Sequence, residues 1–311
     1  MLSRTAENLF WMARYMERAE STARLIQMGQ RMAVLPGAGE RDEWRSVVLS
    51  CGCAGLFDQD EIITETAAVR SLVLDADNPN SIRACLAQTR ANGKAVRTAL
   101  TQEMWEALND GWRRLETVND DGPTLRRELP VLLEWTKARS TLLRGAAETG
   151  MLRNDGWDFL RMGGFVERAD MLLRLLDVKY HVLLPETDVV GGGRDHHQWT
   201  SVLHATSAVR AFHHVYRGDY APWKIADFLL LNRAFPRSLI HCYREIGVHL
   251  DYISRRYGAR HECHSIAHMM IARLEDLAMG ELFQQGLHEF VGEAVGVTGR
   301  LSNEISRAYH F

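Results

Sequence analysis

The segment RYMERAESTARL (residues 14–25) returns as GFVERADMLLRL (164–175), 150 positions later, and the order of its neighbours returns with it. Each copy is followed by Leu-Pro (35–36 and 184–185), by Arg-Asp (41–42 and 194–195), and by a Trp that opens a helical pattern (Trp44 and Trp199). Then come Pro-x-Ser-aliphatic (Pro79, Ser81, Ile82; Pro236, Ser238, Leu239) and Arg-Leu-Glu (114–116 and 273–275). The spacing grows from 150 to 155, 157 and 159, so the matches are collinear, with insertions chiefly in the triple-glycine loop. One coincidence in a chain rich in Arg, Leu and Glu means little, whereas an ordered series means internal duplication. Residues 1–152 and 153–311 are read as two copies of one unit.

That unit is helical. Apolar residues recur at spacings of three and four, and no strand pair is visible. Helices are expected near 3–32, 42–56, 59–74, 79–108, 124–149, 155–183, 196–216, 222–231, 236–257 and, with breaks, 263–307. Asn78 reads as an N-cap with Pro79 at the first helical position, and Pro236 takes the same place in the second copy. The Pro/Gly-rich stretches 35–44 and 184–199 read as loops. Each unit alone would leave its first helix uncovered, so the fold expected is all-α, with two tandem units packed about a pseudo-twofold into one helical bundle.

In the repeated helix, Trp11, Arg18 and Leu25 fall in one stripe with Tyr15 beside it, while Leu9, Met12, Met16, Ala19, Ala23 and Ile26 cover the opposite face. A helix that is apolar on both sides is buried, and a guanidinium inside it needs a carboxylate. Glu20–Arg24 and Asp170–Arg174 read as ordinary i,i+4 pairs. Glu17 and Glu167 lack a shared local partner, because Arg14, three residues before Glu17, has only Gly164 as its counterpart. The economical arrangement is reciprocal, Glu17 with Arg168 and Glu167 with Arg18. Such a cluster could fix the packing of the halves, line a cleft for a zwitterionic or carboxylate-bearing ligand, or supply an acid/base group. Arg237 is expected in a first helical turn, where a cation needs an anion nearby, and its counterpart is Asn80. The ligand-binding candidates are therefore Arg14, Glu17, Arg18, Glu167, Arg168, Arg237 and Ser238.

Composition narrows the function. A net charge of −3 with interleaved acids and bases gives no pull toward nucleic acid. Neither a signal-like apolar core nor a membrane-length apolar run is present, so a cytoplasmic protein is expected. Five scattered cysteines read as reduced thiols. His264 and His268 are four apart, but Cys263 and His264 follow Glu262 directly, which is not the His-Glu-x-x-His pattern, and no metal site is expected. Nucleotide-cradling glycine loops and the nucleophile elbow are missing, so no cofactor is expected and any nucleotide would be held by another protein.

LSRTAENLFWMARYMERAESTARL, NPNSIRACLAQTRANGKAVRTALTQEMWEALN, GWDFLRMGGFVERADMLLRLLD and FLLLNRAFPRSLIHC together resemble the bacterial Alpha-E family, helical proteins named for a Glu-Arg motif and typically duplicated in tandem. The resemblance implies a partner that is a circularly permuted ATP-grasp ligase, with a transglutaminase-like protein and an NTN-hydrolase-type peptidase, in a peptide synthesis or modification system. The motif carries over onto Glu17-Arg18 and Glu167-Arg168, and a Pro-Arg-Ser element onto Pro236, Arg237 and Ser238. Gly164 departs from it, since a basic residue like Arg14 is expected there. On this resemblance the chain is a binding or accessory component acting on a peptide or amino-acid ligand. The alternatives are an enzyme acting on a peptide or amide through a Glu-Arg site, and a scaffold.

Overall fold

The computed structural model describes residues 3–33, 40–58, 60–118, 121–182, 193–280, 282 and 286–311. Among the described residues the chain is all-helical, with thirteen α-helices and no strand. They are α1 (Ser3–Met32), α2 (Glu40–Ser50), α3 (Glu65–Val73), α4 (Ile82–Ala95), α5 (Gln102–Glu116), α6 (Gly122–Gly150), α7 (Asp155–Val182), α8 (Gly193–Ala205), α9 (Val209–Tyr216), α10 (Pro222–Leu231), α11 (Leu239–Tyr257), α12 (Glu262–Glu275) and α13 (Leu287–Ala308). Of the loops expected at 35–44 and 184–199, residues 35–39 and 184–192 lie outside the described residues, and the rest is helix, because α2 begins at Glu40 and α8 at Gly193.

Capping chemistry sets several boundaries differently from periodicity. The helix expected at 79–108 is two, because Thr101 Oγ1 accepts from the Met104 amide at 3.2 Å and starts α5. Thr64 does the same for Ala67, so α3 starts at Glu65 rather than near 59. The helix expected over 42–56 ends at Ser50, before Gly52 turns the chain at a φ of 70°. That expected over 196–216 divides into α8 and α9 at Ser207, which has a φ of 56°.

Neither proline occupies a first helical position. The N-caps are Ser81 and Ser238, whose Oγ atoms accept from Ala84 and His241 at 3.0 and 3.2 Å and donate to Asp75 O and Asn232 O, both at 2.6 Å. Pro79 and Pro236 sit in the turns before them, as Asn78 O and Phe235 O accept from the two serine amides. A serine two residues after a proline caps the helix better than the residue before it, because its hydroxyl reaches the exposed amides of the first turn.

Helices α1 and α7 form the centre, and their contact is the most extensive in the chain. The close approach is made at Gly163, where a Cβ would lie 2.1 Å from the Phe10 carbonyl oxygen. Around this pair, α1 packs on α4, α6 and α8, and α7 packs on α11, α13 and α2; α5 bridges α4 to α6, as α12 bridges α11 to α13. One continuous apolar core runs through all of it, from Leu9, Phe10 and Ile26 on α1 to Val166, Leu173 and Leu176 on α7.

Candidate functional site

Glu17 and Glu167 lie where α1 and α7 face each other, and both are buried. Arg168 grips Glu17 with two parallel bonds, Nε to Oε1 at 2.8 Å and Nη2 to Oε2 at 3.0 Å. Arg18 grips Glu167 in the same way, at 2.6 and 3.0 Å. Reciprocal pairing inferred from the repeat is therefore the geometry found. Two planar forks on two carboxylates are the strongest form of this contact, since each pair shares two charge-assisted bonds.

Each carboxylate also has partners the repeat does not provide. Arg14 crosses to the other helix, donating from Nε to Glu167 Oε2 at 2.8 Å and from Nη1 to Ser302 Oγ at 2.7 Å, with its guanidinium 4.7 Å over the Trp11 ring. Glu17 has no such neighbour on α7, because Gly164 stands there. Arg144 of α6 reaches it instead, with Nη1 donating to Glu17 Oε2 at 2.9 Å, Glu20 Oε2 at 2.5 Å and Ser140 Oγ at 2.7 Å. Arg237 adds bonds to Glu17 Oε1 at 3.2 Å and Glu20 Oε1 at 2.5 Å. It sits one residue before the N-cap rather than inside a first turn, and protein carboxylates supply its anion. Both Ser238 contacts described above serve the cap. Its Oγ is not among the atoms gathered around the carboxylates.

The charges explain the titration behaviour. Burial alone would raise the Glu17 carboxyl, but Arg168, Arg144 and Arg237 hold it well below the usual range. Burial and the Glu17 charge both push Glu20 up, and Arg237, Arg144 and Arg24 bring it down to about 2. Glu167, raised by burial and lowered by Arg14 and Arg18, also falls to about 2. Against an ordinary value of 4.5, these are depressed folded-state values, so their stabilisation is complete above about pH 4.5 and is lost as the pH falls toward 2. Far-UV circular dichroism followed from neutrality to about pH 2 is expected to show cooperative loss of helix in that window. Undiminished stability at the acid end would mean the carboxylates are not the folded state's acid-sensitive groups.

All five cysteines are buried and free. Burial pushes Cys85 and Cys242 up to about 12, which makes them inert thiols packed near Arg18 and Arg168. His264 is buried on α12, with Nδ1 against the His261 backbone and Nε2 3.2 Å from Leu250 O. His268 stands 3.6 Å from Asp251. Among the described residues, no group of three or more His, Cys, Asp and Glu side chains is placed to hold a metal ion, and no helix is long and apolar enough to cross a membrane.

A family named Alpha-E, described as a predicted alpha-helical domain with a conserved ER motif, matches residues 1–310. The chain belongs to the Alpha-E family. Glu-Arg stands at 17–18 and at 167–168, so in this Alpha-E chain both dipeptides lie in the ion-pair cluster between α1 and α7. The chain is similar to the uncharacterized protein Mb2597 of Mycobacterium bovis and to the uncharacterized protein Rv2567 of Mycobacterium tuberculosis, 26% identical to each over 260 residues. These alignments cover 76% of this chain and 28% of each relative, so the chain spans well under a third of the length of the curated relatives it matches. No solved structure matches it.

Three members of the cluster escape sequence reasoning. Glu20 reads as half of a surface i,i+4 pair, yet it is 0% exposed and bonded by Arg24, Arg144 and Arg237. The local pair is real, with Arg24 Nε 3.0 Å from Glu20 Oε1, and it conceals the tertiary partners. Arg144 and Ser302 lie on α6 and α13, outside every repeated motif, and only the packing brings them in.

Proposed function

We propose that the chain is a non-catalytic binding or accessory component of a peptide synthesis or modification system, working in the cytoplasm beside a circularly permuted ATP-grasp ligase that holds the nucleotide. The observation that carries the non-catalytic part is the saturation of Glu17. Its two oxygens accept four N–H bonds from three arginines, and its carboxyl is held well below the usual range. A general base must have a free lone pair and a pKa near the working pH, and Glu17 has neither. The ATP-grasp partnership rests on family membership, and the part of the longer mycobacterial relatives that this chain spans fits a unit that works alongside others.

The same reading takes residues 1–152 and 153–311 as two copies related by a pseudo-twofold. Its support is that the main contacts of α1 have counterparts around α7: α1 on α4 with α7 on α11, α1 on α6 with α7 on α13, and α1 on α8 with α7 on α2. The scaffold alternative is favoured by how completely the Glu-Arg motifs satisfy each other, and it differs from the accessory reading in needing no ligand.

Size-exclusion chromatography of the chain mixed with the ATP-grasp protein of its own organism tests the partnership. Co-elution at on the order of 10 µM is expected, a concentration at which even a modest physiological complex forms. Separate elution at several times that concentration removes the partnership.

A further inference from the structure

The two halves of the ion-pair cluster are not equal, and the difference is a cavity. In one half Arg14 fills the space beside Glu167, stacked on Trp11 and bonded to Ser302. In the other, Gly164 stands at the corresponding position, and a Cβ built there meets nothing within 4 Å. Beside it lies a small cleft that opens to solvent, floored by Glu17, Arg144 and Arg168 and walled by Trp157, Arg161 and Phe165.

Charge decides what could enter. The missing Arg14 counterpart leaves no site for a cation, because Glu17 already accepts four N–H bonds and has no lone pair to offer. Glu17 and Glu20 together face Arg24, Arg144, Arg168 and Arg237, so guanidiniums outnumber carboxylates two to one. All the hydrogen bonds of Arg144 leave from Nη1, and the side chain is 31% exposed, so its remaining nitrogens are accessible. Arg161 is weakly paired, 3.9 Å from Glu148, which also serves Arg153, and its Nε is buried with no hydrogen-bond partner. Burial pulls the Arg161 guanidinium below the usual arginine value, as expected for a cation without a close anion. Its guanidinium carbon lies 5.2 Å from the centre of the Trp157 ring and 4.7 Å from that of Phe165, on apolar walls.

We propose that this cleft binds the carboxylate of a small ligand carrying an apolar side chain, with Arg161 and Arg144 holding the carboxylate and Trp157 and Phe165 packing on the apolar body. An aromatic or aliphatic amino acid, or the C-terminal residue of a short peptide, has that chemistry. The proposal names the ligand class of the binding role above and rests on that role only for the choice of probe.

Isothermal titration calorimetry of the full chain with N-acetyl-phenylalanine, and with the matching N-acetyl-phenylalaninamide, tests it. The carboxylate is expected to bind at least about tenfold tighter than the amide, and Arg161→Gln to remove that difference. Gly164→Met, which places a side chain in the cleft from a position with room for it, is expected to abolish binding while leaving the circular dichroism unchanged, since methionine is a better helix former than glycine. Equal binding of acid and amide, no binding of either at about 10 mM, or binding undiminished in both variants would overturn it. These outcomes concern the isolated chain, so they are independent of whether an ATP-grasp protein co-elutes.

Discussion

Glu17→Gln is expected to lower the unfolding free energy by about 3–5 kcal/mol, the usual consequence of removing one partner from a buried ion pair. Glutamine has nearly the same shape, but it replaces one acceptor oxygen by an NH₂ that points N–H bonds at N–H bonds. Whichever oxygen is lost, two of the four donors from Arg168, Arg144 and Arg237 lose their acceptor. The three guanidiniums also lose the charge that compensates their burial. Set against a typical stability of about 5–15 kcal/mol, that is a large fraction of the total. Urea unfolding monitored by circular dichroism measures it directly. A milder case lies in the other half at the position corresponding to Glu20, where among the described residues Asp170 pairs with Arg174, a partner 38% exposed. Asp170→Asn there is expected to cost about 1 kcal/mol, less than Glu17→Gln because its partner stays within reach of solvent.

The same variant separates the functional readings. If Glu17 were a general base, its glutamine variant would fold as well as the parent and lose only turnover. A change in stability of under about 1 kcal/mol would therefore sink the structural role of the cluster. Adding Arg168→Met to Glu17→Gln is expected to cost less than the sum of the single changes, because the second removes a cation the first had left unpaired.

How far the sequence carries can be judged from individual residues. The pairing of Glu17 with Arg168 and of Glu167 with Arg18 is legible because a guanidinium in an apolar stripe requires a carboxylate, and duplication offers only one symmetrical way to supply it. The all-helical fold is legible for the same kind of reason, since apolar spacing leaves no room for strands. The break at Thr101 is harder to see, because periodicity runs smoothly through 79–108 and only a hydroxyl at the right amide marks the new start. Arg144 and Ser302 are not legible at all: nothing in their local sequence distinguishes them from surface residues of α6 and α13. Glu20 misleads in the opposite direction, since a satisfied local pair hides three-sided burial. The cleft beside Gly164 is announced by a departure from the repeat, but whether the vacated space is filled or open is a property of packing.

Gly163→Ala and Gly164→Ala, one residue apart in the same helix, are expected to have opposite signs. At Gly163 the new Cβ would lie 2.1 Å from the Phe10 carbonyl oxygen, 2.9 Å from its carbon and 3.0 Å from its Cα, all backbone atoms of α1. No rotamer change relieves a clash with backbone, so α1 and α7 must move apart by more than an ångström at their closest point. Overpacking of this kind costs about 3 kcal/mol, and the roughly 1 kcal/mol that alanine gains over glycine in a helix does not offset it. The displacement also falls on the ion pairs, because Arg18 and Arg168 reach across this interface with bonds of 2.6–3.0 Å that a separation of that size would break or tilt. Gly164, whose Cβ position is empty to 4 Å, carries only the propensity gain and is expected to be stabilised by about 0.5–1 kcal/mol. Urea unfolding of the two variants side by side decides the point. A Gly163→Ala protein as stable as its neighbour would mean that α1 and α7 do not cross at this distance, and that the cluster is held by something other than their close approach.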